Sequence, residues 1–177
     1  MPNVMYHNVG GKRFADVSSA GGFAHLQKGH GVAFADFDDD GDQDVFEQMG
    51  GALPGDRAPD CFYLNPGFGN HWIKVKLVGV KSNRCGIGAR ICCNVDDGGT
   101  KRSIYKHVNS GGTFGANPLR QEIGLGKATK IDSLEILWPT TGVTQSFHDV
   151  PADGCIEVTE GQAAYRTVEL KRFEFKP

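Results

Sequence analysis

Apolar and polar residues alternate with a period of two along most of the chain, and no stretch sustains the 3.6-residue period of an amphipathic helix. In "WIKVKLVGV" (72–80), Ile73, Val75 and Leu77 fall on one face and Lys74 and Lys76 on the other. "ARICCNV" (89–95), "SIYKHV" (103–108), "SLEILW" (133–138), "CIEVTE" (155–160) and "RTVELKRFEF" (166–175) alternate in the same way. Gly, Pro, Asn or Asp bounds each run, as expected of strands joined by turns. Only "KRFADVSSAGGF" (12–23) and the stretch around Leu119 leave room for a helical turn. The pattern predicts an all-β protein. "MYHNVGG" (5–11) and "FYLNPGFG" (62–69) form a weak internal repeat, a tyrosine-bearing strand followed by an Asn-x-Gly turn.

Composition agrees with many short strands. The 177 residues include 25 glycines, several in pairs, and glycine at that density favours tight turns over long helices. Hydrophobic content of 39% and charge of 23% suit a folded chain of one domain or two small ones. Lysine and arginine are scattered without a basic stripe, so no nucleic-acid partner is expected. No apolar run is long enough for a membrane span. The opening "MPNVMYHNVGGKRF" lacks the layout of a signal peptide, which suits a cytosolic protein or a mature piece of a secreted one. The five cysteines are odd in number and lack Cys-x-x-Cys spacing. They read as mostly free thiols, with a Cys85–Cys155 or Cys61–Cys85 bridge left open.

Charge changes the picture at one place. "DFDDDGDQD" (36–44) carries six carboxylates in a chain of net charge -2, so the remaining residues must sum to +4. Like charges about 4–5 Å apart cost on the order of 1 kcal/mol per pair in water, and more near a protein surface. The run nevertheless lies between "GVAFA" and "VFEQM", both apolar enough to be buried. Aspartates at alternate positions, with Gly41 turning the chain, suit a hard cation that takes six to eight oxygens. The expected Ca²⁺ ligands are the side chains of Asp36, Asp38, Asp40 and Asp44 and the backbone carbonyl of Asp42. Asp39 and Gln43 should face solvent. The rival, an EF-hand with Glu47 at its last position, suffers from Gln43 at position eight and from strand-like flanks.

These residues meet two known families. "GVAFADFDDDGDQDVF" resembles the FG-GAP or VCBS repeat, whose D-x-D-x-D-G-x-x-D loop joins two strands of a propeller blade and binds calcium. "RFADVSSAGGF" before it and "YLNPG" after it fit the same unit. "NRCGIGARI" (83–91), "VNSGGTFGANPLRQEIGLG" (108–126) and "IDSLEILWPTTGVTQSFHDVP" (131–151) are similar to the ASPIC/UnbV domain of the cartilage acidic protein family. The resemblance implies a VCBS-like calcium unit over residues 1–66 and a β-sandwich-like ASPIC/UnbV domain over 67–177. It also implies a secreted or cell-surface setting.

The function expected is a non-catalytic calcium-binding module for extracellular adhesion or for binding a glycan or protein ligand, with calcium structural. The alternatives are a metal-dependent enzyme near the acidic loop with His25 and His30, and a C-terminal fragment of a propeller protein without autonomous function. Strand edges left by absent blades suit a homodimer. Other residues carry weaker expectations. His25, His30 and His71 read as structural histidines near the acidic unit, and Trp72 and Trp138 as core or rim packing rather than sugar platforms. Arg84 and Arg90 are expected to brace the "NRCGIGAR" turn. The Gly- and Asn-rich loop 109–120 is either a binding loop or one sealed by its own contacts.

Overall fold

The computed structural model describes residues 3–51, 53–112, 114 and 116–175, and among these no helix occurs. The chain opens with a hairpin of β1 (Tyr6–Val9) and β2 (Arg13–Asp16). A three-stranded antiparallel sheet follows, β3 (Gly29–Ala35), β4 (Asp44–Met49) and β5 (Cys61–Tyr63), in that spatial order. The two tyrosines of the internal repeat thus both lie on strands.

The rest forms a β-sandwich. One sheet has the order β11 (Thr144–Pro151), β10 (Lys130–Leu137), β7 (Arg90–Asp97), β8 (Thr100–His107). The other runs β13 (Arg166–Val168), β12 (Gly154–Thr159), β6 (His71–Val78), β9 (Gln121–Gly126). All pairs are antiparallel except β6 with β12. Gly98 and Gly99, at φ 64° and 93°, form the left-handed pair that a two-residue β7–β8 turn requires.

Alternation places the core as expected. Ile73, Val75 and Leu77 of β6 point inward against Ile91, Cys93 and Val95 of β7 and Leu134 and Ile136 of β10, in one continuous apolar cluster. A fully buried aliphatic side chain of this kind contributes roughly 1.5–3 kcal/mol. Trp138 is buried in the same cluster, with its indole N–H donating to Gln145 Oε1, so it is core and offers no sugar platform. The five cysteines are unpaired, and neither bridge left open by the sequence forms. Adjacent Cys92 and Cys93 point to opposite faces of β7, and burial first, then Cys92, pushes the Cys93 thiol up to about 12.

Two local readings differ from the fold. β9 and β11 escape the pattern, because "QEIGLG" puts glycine between its apolar residues and "TQSFHDVP" spends only Phe147 and Val150 on the core. "RTVELKRFEF" is a strand only over Arg166–Val168, and its later residues run back across the acidic loop. "KRFADVSSAGGF" contains β2 and then, as its sequence allows, a single helical turn closed by the Gly21 N–H on the Val17 carbonyl at 2.7 Å.

Candidate metal centre

β3 and β4 pair antiparallel up to Ala35 opposite Asp44, so residues 36–43 form the connection that closes this hairpin. The aspartates at its two ends hold its shape. Asp36 Oδ1 accepts the Asp40 N–H at 3.0 Å and Asp36 Oδ2 accepts the Gly41 N–H at 2.7 Å. Asp44 accepts the N–H of Phe37 at 3.1 Å and of Asn65 at 2.8 Å, tying the loop to the chain beyond β5. Asp40 Oδ1 accepts the Asp42 N–H at 2.9 Å. Gly41 has φ 108°, and a β-carbon there would meet the indole of Trp72 at 1.8 Å. This glycine both turns the loop and lets it lie against Trp72.

Asp36, Asp38 and Asp40 each bring a carboxylate oxygen within 4.8 Å of the others, the first two from buried positions. Asp38 Oδ1 is buried and has no hydrogen-bond partner among the described residues. Burial, then the charges of Asp40, Asp44 and Asp36, push the Asp38 carboxyl above its usual range. Asp42 is raised by burial and by Asp40, Asp36 and Asp44. The donors are oxygens without nitrogen or sulfur, a set that suits a hard cation. The strand β4 begins at Asp44, where an EF-hand would start its exit helix. Glu47 sits on β4 opposite Val32, outside the Asp36–Asp38–Asp40 group.

The loop rests on the outer face of β6 and β9. Lys74, only 1% exposed, reaches Asp36 at 2.7 Å and Asp39 at 2.5 Å. Arg120 contacts Asp39 at 3.2 Å and Glu122 at 3.4 Å. Glu122 Oε2 accepts the Asp36 N–H and the side-chain amide of Gln43, each at 3.0 Å. Trp72 is 8% exposed beneath Gly41, which accounts for its burial. On the loop's other side the Phe173 N–H donates to the Asp38 carbonyl at 3.1 Å.

These contacts correct one expectation. Asp39 does not face solvent: at φ 58° it turns its carboxylate into Lys74 and Arg120. Gln43 is exposed as expected, and its side-chain amide donates to Glu122. Lys74 itself reads in the sequence as a solvent-facing lysine and is instead the loop's closest counter-charge. Counting Glu122 with the six loop aspartates, seven carboxylates meet two paired cations among the described residues.

The other singled-out residues scatter. His30 lies at the opposite end of β3 from the loop, about 20 Å away at a strand's usual rise. Its Nε2 is buried with no partner among the described residues, and it lines the same cavity as Glu47, whose carboxyl is raised by burial against a lowering by His25. His71 pairs with Asp153 at 2.6 Å at the start of β6. Arg84 and Arg90 make no side-chain hydrogen bond among the described residues. The turn is braced by Asn83, which donates to the Ile87 carbonyl at 2.6 Å and accepts its N–H at 2.9 Å. A well-built carboxylate that the sequence does not betray is Glu160. Burial pushes it upward, but the N–H groups of Val80, Lys81 and Ser82 and the Ser82 hydroxyl outweigh that and hold it at about 2.

Residues 79–165 match the protein family described as ASPIC and UnbV. The match spans β7 to β12 and leaves the acidic loop and β6 outside it. No curated protein matches the chain.

Proposed function

We propose that residues 36–44 form a calcium site of the FG-GAP/VCBS type. On this reading the protein works as a non-catalytic, calcium-stabilised module for extracellular adhesion or ligand binding. The observation that carries it is Asp38, which has a buried carboxylate oxygen with no partner among the described residues, in a loop whose carboxylates far outnumber its cations. Buried polar atoms in folded proteins are almost always satisfied, so an orphaned anionic oxygen asks for a cation. Asp36, Asp38, Asp40 and Asp44 would supply side-chain oxygens and Asp42 its carbonyl.

Calcium suits the set better than magnesium, which keeps its waters and seldom accepts an all-protein cage. Zinc prefers nitrogen and sulfur. Extracellular calcium modules bind at roughly 10⁻⁴–10⁻³ M, which matches a structural ion outside the cell.

The test is thermal. EDTA should lower the melting temperature and added Ca²⁺ should restore it, since an ion at 100 times its dissociation constant adds about 2.7 kcal/mol. Asp38→Ala should abolish the response to calcium. A melt indifferent to EDTA, on protein verified to be metal-free beforehand, overturns the reading.

A further inference from the structure

A cleft of about 310 Å³ opens where the small sheet meets the sandwich, between the edge strand β3, the acidic loop and residues 117–122. Its size is at the lower end of the roughly 300–1,000 Å³ typical of small-molecule sites, which favour such junctions. The floor is fixed, because Arg120 and Glu122 bond each other and the acidic loop.

The walls hold hydrogen-bonding capacity of both signs. Asn117 Oδ1 accepts the Phe34 N–H at 3.0 Å, which leaves its amide NH₂ to donate. Gln43 donates its amide to Glu122 and Gln121 donates its own to the Leu119 carbonyl, which leaves both side-chain oxygens to accept. Lys106 lines the cleft with no ion pair among the described residues. An anion would meet the two amide oxygens, and a cation would meet Lys106. A hydroxyl group donates and accepts at once, and suits such a mixture. Phe34, 37% exposed, and Pro118 add apolar surface on which the C–H face of a sugar ring can lie.

We infer that this cleft binds a neutral saccharide. The inference rests on the calcium reading in one respect, since Gln43 belongs to the loop that the ion would order. It names the ligand that the proposed binding module takes.

The test is amide-resolved NMR titration of calcium-saturated protein with cellobiose, lactose, mannobiose and chitobiose, and with inorganic phosphate and acetate as anion controls. At least one sugar should bind at millimolar concentration and shift the amides of Gln43, Asn117 and Gln121. Asn117→Asp keeps the acceptor for Phe34 and loses the donor, so the fold should persist while sugar affinity falls about tenfold. Lys106→Met should weaken binding by a few fold. The inference is overturned by binding of none of the four sugars, by shifts located elsewhere, by unchanged affinity in Asn117→Asp, or by preference for phosphate or acetate. Calcium binding is read separately by calorimetry on the same sample. A protein that binds calcium but no sugar loses the cleft and keeps the metal site, and one that binds sugar without calcium does the reverse.

Discussion

Between Ile73 and Val158, nineteen buried residues form one apolar cluster, whereas residues 3–66 bury only Ala35, Val45 and Met49 among their described hydrophobic side chains. In that earlier region Tyr6, Phe14, Leu26, Phe37, Phe62 and Leu64 are exposed. The sandwich is held by area removed from water. The small sheet is held by a carboxylate loop clamped to the outside of the sandwich, through Lys74, Arg120, Glu122 and the Gly41–Trp72 contact. The difference teaches where each region is vulnerable: the first to cavities, the second to lost charge.

Substitutions can pull the two apart. Lys74→Met should have the largest effect, because it strands the fully buried Asp36 beside Asp39, and breaking a buried pair in this way costs about 3–5 kcal/mol. Hydrogen exchange should then accelerate over β3 and β4 far more than over β7 and β10. Equal acceleration everywhere would mean that the two regions unfold as one. Ile136→Ala should cost about 2–5 kcal/mol by emptying core volume and should accelerate exchange across the sandwich. Its melting temperature should fall equally with calcium and with EDTA.

A smaller effect separates the regions by pH. Glu160 is held at about 2, below its ordinary 4.5, so it stabilises the sandwich fully above pH 4.5 and loses that contribution as pH falls toward 2. Glu160→Gln should lower the melting temperature at neutral pH, and the gap to the parent protein should close across that acid window. A gap that persists undiminished at pH 2 would show that the nest contributes through shape alone.

The sandwich's inward face was legible in Ile73, Val75 and Leu77, since strand alternation depends only on neighbours. The acidic loop's turn was legible in Gly41 for the same reason. Lys74 was not. A lysine on a strand's polar face reads as solvated until a segment more than thirty residues earlier is known to cover it. Asp39 fails alongside it, because its direction is set by Lys74 and Arg120 and by a left-handed backbone that no local pattern announces. Glu160 is the extreme case. The amides of Val80, Lys81 and Ser82 converge on it because β6 and β12 end side by side, and nothing near residue 160 in sequence signals that meeting.

That parallel pairing also sets an order of events during synthesis. β6 leaves the ribosome early, but its neighbour β12 follows only after β7 to β11, and Gly154 must find Ile73 across all of that chain. Long-range pairing of this kind is slow and comes late. The acidic loop, made before β6, has no platform until β6 is fixed. The acidic loop is therefore expected to settle after the strands that follow it, with its dense negative charge exposed on the nascent chain in the meantime.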